Sequence, residues 1–161
     1  MIKKIIIKIK EHLKEVAKIK ISPHSIAAGF AMGTFIAVLP TFGFGILIGL
    51  LVLIIFKKIS KLSLLVSFAF WNPFVLLSLY PLSYTIGDFI LGDLPVRMYN
   101  IPILNQVFVH SKIFLVGSFI LALILSIISY ILILILAYKY QKKQLEPLIK
   151  EVKKLEETLK I

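Results

Sequence analysis

Three long stretches of this chain carry no charge at all: residues 25–56, 62–86 and 113–138, of 32, 25 and 26 residues. A bilayer core of about 30 Å needs roughly 20 helical residues. The second and third stretches therefore predict one span each. The first is too long for one span and marginally short for two. Its interruption is visible as Leu39-Pro40-Thr41-Phe42-Gly43-Phe44-Gly45. Pro40 lacks an N–H and clashes with the preceding turn, while Gly43 and Gly45 open backbone conformations closed to other residues. The arms 25–39 and 41–56 are then a hairpin that leaves and returns on the same side. It is either re-entrant or formed of two short tilted spans. The second stretch is interrupted at Trp71-Asn72-Pro73, with Pro81 further on. A residue before proline avoids the α conformation, and the expectation is a kinked span over 62–86.

The flanks are polar on one side only. Ile2, Ile5, Ile6, Ile9, Leu13 and Val16 share a helical face, with Lys4, Lys8, Glu11, Lys14, Glu15 and Lys18 opposite. The C-terminal tail has its own stripe of Leu145, Leu148, Val152, Leu155 and Leu159. Two amphipathic helices are expected, lying on an anionic leaflet or packed on each other. Ser22 reads as an N-cap and Pro23 as the first residue of the helix that follows.

Charge turns this pattern into an orientation. Hydrophobic residues make up 59% of the chain, yet its net charge is +11. The excess sits in three islands: residues 1–24 at +5, Lys57, Lys58 and Lys61 at +3, and 139–161 at +3. Residues 87–112, with Asp88, Asp93, Arg97 and Lys112, are neutral. The positive-inside rule assigns the basic islands to the cytoplasm and 87–112 to the outside. The N-terminal Lys residues alternate with Ile, so no secretory signal is expected there.

Candidate chemistry is sparse. The chain has no Cys, which removes disulfides and thiolate chemistry. No ionisable residue lies inside the apolar stretches, where proton-coupled transporters carry one. His24 and Asp88 stand at their edges. No catalytic or nucleotide-binding motif is present, so the expectation is a non-enzyme without cofactor or metal. Two interrupted apolar segments in succession point to a transport site, made here of Pro40, Thr41, Gly43, Trp71, Asn72 and Pro73 near the midplane. Asn72 either meets a ligand or satisfies backbone groups freed by Pro73. Gly29-x-x-x-Gly33 and Gly45-x-x-x-Gly49 allow close helix packing, within the chain or between copies.

These motifs together resemble a known family. Ser22-Pro23, Ala28-Gly29-Phe30-Ala31-Met32-Gly33, Pro40-Thr41-Phe42-Gly43, Trp71-Asn72-Pro73, Pro81, Tyr84 and Gly87 are similar to the domain of unknown function 2062 family, over about residues 20–138. The resemblance implies an integral membrane domain of prokaryotes, fused in some members to glycosyltransferase domains, with no established activity or ligand. Two departures stand out: Lys57-Lys58-Ile59-Ser60-Lys61 replaces an Arg/Lys-x-Asn turn, and Phe74-Val75 follows Asn72-Pro73 where Leu-Thr is more usual.

The expectation is thus an all-α integral membrane protein in three parts. A basic amphipathic helix occupies 1–22. A membrane domain occupies 23–138, with hairpin 25–56, kinked span 62–86, outer loop 87–112 and span 113–138. A basic cytoplasmic helical tail occupies 139–161. The expected setting is the cytoplasmic membrane, multi-pass, with both termini inside. Expected function is binding or passage of a small solute, lipid or ion at the breaks. The alternative is a scaffold that recruits a cytoplasmic protein or anionic lipid through its Lys-rich helices. An enzyme acting on lipid-linked substrates through His24 or Asp88 is a third reading. Expected partners are the bilayer and anionic lipid, with a second copy or a cytoplasmic protein as further options and no nucleic acid.

Overall fold

The computed structural model describes residues 22–41, 43–92 and 102–158. The amphipathic stretch expected over 2–18 lies outside them. All regular structure among the described residues is α-helical. The order is α1 (Pro23–Val38), α2 (Gly45–Ile55), α3 (Lys61–Phe70), α4 (Pro73–Leu91) and α5 (Pro102–Thr158). Two helices, α4 and the Ile103–Pro147 part of α5, are long and apolar enough to cross a membrane. Only 11% and 17% of their apolar windows are buried inside the chain, unlike the core helices of a soluble bundle.

Local chemistry explains where the helices start and stop. Ser22 caps α1 by accepting from the Ser25 N–H at 3.1 Å, with Pro23 in the first turn. At the other end Pro40 offers no N–H to the Ile36 carbonyl, and α1 stops at Val38. The chain then turns tightly. The Thr41 N–H donates to the Leu39 carbonyl at 2.7 Å and the Phe44 N–H to the Thr41 carbonyl at 2.9 Å. Gly43 has φ +93°, a conformation that costs a residue with a Cβ.

The segment 62–86, expected as a kinked span, is interrupted where expected, at Trp71-Asn72. It is divided between two separate helices, α3 and α4. Asn72 accepts from the Val75 N–H through its side-chain oxygen at 3.1 Å, and Pro73 occupies the first turn of α4. An Asn cap followed by proline begins a helix rather than bending one. Pro81 sits inside α4. The outer loop expected over 87–112 is also mostly helical, because α4 continues to Leu91 and α5 begins at Pro102. Charge boundaries did not coincide with helix boundaries here: both helices run past Asp88 and Lys112. The tail over 139–158 is a continuation of α5 rather than a separate helix.

Contacts fix the directions. α1 and α3 run parallel: the Ser63 hydroxyl donates to the Ile26 carbonyl at 2.6 Å, and the Phe30 and Phe70 rings lie 6.0 Å apart. α5 runs antiparallel to α1. The Ser126 hydroxyl donates to the Ala31 carbonyl at 2.9 Å, and Val38 packs with Leu121 and Ala122. At the start of α1 the His24 ring lies between two hydroxyls of α5, with Nδ1 2.8 Å from that of Tyr130 and Nε2 3.1 Å from that of Tyr138. α4 and α5 form an antiparallel pair through Tyr84 stacked on His110 and Tyr80 against Phe114. Gly87 and Gly117 bring these two backbones into contact: a Cβ on Gly87 would run into the Ile113 carbonyl, and one on Gly117 into the Ser83 carbonyl.

Small and hydroxyl-bearing residues share the interior with Ile36, Val38, Leu64, Ile113 and Leu121, while the exterior is large and apolar. Thr34, Ser67, Ser83 and Ser118 are almost fully buried. Phe89 is 92% exposed, Phe74 84% and Ile54 73%. That inversion suits a chain whose surroundings are apolar, where packing of small residues rather than hydrophobic burial joins helices.

Candidate functional site

The two breaks meet. The turn after α1 and the α3–α4 junction line one open cavity of about 420 Å³. Its walls include Pro40, Thr41, Gly43, Trp71 and Pro73, five of the six residues expected to form a site, together with Phe68, Leu76, Tyr80 and Phe114. Asn72 is not among them. It is exposed, and its side chain caps α4, so the backbone-satisfying role accounts for its contact.

Trp71 is held by a relay across three helices. Its indole N–H donates to the Thr34 hydroxyl of α1 at 2.8 Å. That hydroxyl lies 3.4 Å from the Ser129 hydroxyl of α5 and donates to it. Phe70 meets the indole edge-on at 5.1 Å. Trp71 therefore gives the cavity an apolar ring, not a free donor. The polar groups that remain are the Thr41 and Tyr80 hydroxyls and backbone carbonyls. Ile36 and Ala69 lose their helical donors to Pro40 and Pro73, and the Thr41 N–H that would reach Ala37 bonds to Leu39 instead. The carboxyl ends of the parallel helices α1 and α3 and the amino ends of α2 and α4 thus converge at this cavity. Broken helices at a membrane site present their termini in this way.

The four glycines of the paired motifs are used within the chain. A Cβ on Gly29 would lie 2.6 Å from the Ser60 carbonyl oxygen. One on Gly33 would lie 2.9 Å from that of Leu64 and against the Ser67 hydroxyl. One on Gly49 would lie 2.7 Å from the Phe68 ring. For Gly45 the nearest atom would be the Thr41 hydroxyl oxygen at 3.0 Å. Both arms of the hairpin are fitted to α3.

The aromatic wall of Phe68, Tyr80 and Phe114 was not foreseen, nor was the serine lining of the helix contacts. A signal for the second exists in the sequence. Ser60, Ser63 and Ser67 are spaced 3 and 4, and Ala122, Ser126 and Ser129 are spaced 4 and 3, so each set shares a helical face. Nothing comparable marks Tyr80 or Phe114, which reach the cavity only because α4 and α5 pair. Among the described residues no group of three His, Cys, Asp or Glu lies close enough to hold a metal ion.

Compared with known families, the chain matches the one described as uncharacterized protein conserved in bacteria (DUF2062), over residues 8–146. It belongs to that family. No curated protein and no solved structure matches it.

Proposed function

We propose that this family member is a multi-pass protein of the cytoplasmic membrane, whose two helix breaks together form a binding or passage site for a small uncharged or amphipathic molecule. The observation that carries this reading is the shared cavity: two sequence breaks thirty residues apart line one space. The ligand class follows from the lining. No wall residue carries a charge and four of the thirteen are aromatic, a lining that suits a neutral or amphipathic molecule.

The hairpin reads as re-entrant. At 1.5 Å per residue α1 is about 24 Å long and α2 about 17 Å, both short of a core of about 30 Å. Val38 sits level with Leu121, and Thr41 shares the cavity with Phe114. The turn thus lies beside the uncharged part of α5, between roughly 6 and 17 Å from its middle on the Lys112 side. That supports a tip within the half of the core facing outward, rather than at the midplane. The basic islands support cytoplasmic termini. Impermeant labelling of Lys57→Cys and Ser111→Cys from each side of sealed vesicles tests the orientation: 57 should react from inside and 111 from outside.

The test of function fills the cavity. Ala37→Trp and Leu76→Trp place bulk in its wall. Wild-type protein in liposomes should pass, or be stabilised by, members of a panel of neutral and amphipathic solutes, and both variants should lose that response while remaining folded. Equal responses in wild type and both variants would sink the reading.

A second reading, a non-catalytic anchor, is favoured by one observation. α5 continues as a helix for 20 residues past Tyr138, with Lys139, Lys142, Lys143 and Lys150 exposed. Deleting 139–161 should then abolish capture of a cytoplasmic partner and leave the cavity's ligand response intact.

A further inference from the structure

At the opposite end of α1 a second cavity opens, of about 660 Å³, and nothing in the transport reading uses it. It is lined by Lys57, Lys58 and Lys61, by Ser22, Ser25 and Ser60, and by Ile59 and Leu62. Three lysines border one space. Among the described residues no carboxylate pairs with any of them. A cluster of like charges is unfavourable on its own and is stabilised by a counter-charge.

The lysines are carried on a loop that is fastened down. Ser25 holds it at two points: its carbonyl accepts from the Ser60 N–H at 3.1 Å, and its hydroxyl donates to the Lys58 carbonyl at 2.5 Å. Ser60 is itself buried and caps α3 through the Ser63 N–H. The parallel course of α1 and α3 sets two helix amino ends side by side at this cavity. The first-turn N–H groups of Lys61 and Leu62 have no acceptor within α3 and add donors and positive potential to those of the lysines. Leu62, Leu65 and Val66 on α3, with Ile55 and Phe56 before the loop, are large and exposed. They extend the rim as an apolar strip beside the basic cavity.

We propose that this cavity binds a phosphate group, and that the phosphate is that of an anionic membrane lipid whose acyl chains lie along the apolar strip. The lysines and the two helix amino ends meet the phosphate, and the Ser22 hydroxyl, which acts as acceptor in the α1 cap, has its proton to donate beside it. The site is independent of the cavity at the other end of α1, so either can fail alone.

Native mass spectrometry of the full-length protein in mild detergent tests it with two probe lipids, phosphatidylglycerol and phosphatidylcholine. Wild type should retain phosphatidylglycerol at least tenfold better. The triple substitution Lys57→Gln/Lys58→Gln/Lys61→Gln should erase most of that preference. A control triple on the tail, Lys142→Gln/Lys143→Gln/Lys150→Gln, should change it less than twofold. Millimolar inorganic phosphate should not displace the lipid. Equal loss in both triples would mean diffuse charge and overturn the site. Retention of the preference in the loop triple would overturn it as well. Displacement by inorganic phosphate would assign the cavity to a soluble phosphate and overturn the lipid assignment. Anionic lipid should also raise the Tm of wild type and not that of the loop triple, which reads the site in the folded protein directly.

Discussion

α1 and α2 are the two arms of one hairpin, and each carries a Gly-x-x-x-Gly. Eight of the sixteen residues of α1 are buried, against Gly49 alone among the eleven of α2. The glycines of α1 face backbone: the carbonyls of Ser60 and Leu64 sit where a Cβ would go. Gly49 faces the edge of a ring. α1 is enclosed by α3 on one side and α5 on the other, and its interior face is Ala27, Ala31 and Thr34. α2 touches the rest along one edge and turns Leu47, Leu50, Leu51 and Ile54 outward. The same motif thus serves a central post in one arm and a single-edge contact in the other. The difference lies in what stands opposite, which a backbone carbonyl makes rigid and a phenyl ring leaves adjustable.

Substitutions that treat the arms alike should therefore give unlike results. Gly33→Leu should be the most damaging, because neither the Leu64 carbonyl nor the Ser67 side chain can withdraw without separating α1 from α3. A loss of about 3 kcal/mol or failure to fold is expected, visible as loss of the monodisperse peak in detergent. Thr34→Val comes next. It leaves the part-buried Trp71 N–H without its acceptor, at a cost of about 1–2 kcal/mol. Trp71 is the single Trp of the chain, so its fluorescence reports the change without interference. Gly49→Ala should cost about 1 kcal/mol, since the Phe68 ring or α2 itself can shift. Equal Tm losses for Gly33→Ala and Gly49→Ala would break the comparison. Ile54→Ala, on the outward face of α2, should stay within about 0.5 kcal/mol in detergent. Ser67→Ala should cost nothing measurable or stabilise slightly, because that buried hydroxyl has no partner.

Much of this architecture was legible in the residues. Pro40, Gly43 and Pro73 mark both breaks because proline withholds a donor and glycine tolerates positive φ, effects that act within a few residues. The Ser22-Pro23 start of α1 is local in the same sense. The helix ends near Asp88 and Lys112 were misjudged because charge records where water is allowed, not where a helix stops. The break in 62–86 was legible at Asn72-Pro73, and the Asn72 side chain that accepts from the Val75 N–H makes it the start of a new helix. Five residues of the site were readable as breaks. Their meeting was expected from two interrupted segments in succession, but its basis was not: α3 running parallel to α1 is a long-range choice made by Gly29, Gly33 and the serines opposite them. The aromatic wall depends on that choice in turn.

The claim that both breaks enclose one cavity beside the apolar part of α5 is tested most directly by depth. The chain has no native Cys, so a spin label at Phe44→Cys, an exposed position at the start of α2, reports the hairpin tip alone. In liposomes its accessibility to oxygen, relative to a water-soluble nickel reagent, should match a hydrocarbon position between those of labels at Leu115→Cys and Leu123→Cys. A value equal to that of Ser111→Cys, the position proposed to lie in outer water, would mean that the hairpin crosses the bilayer, and the account of a re-entrant tip forming the site would be contradicted.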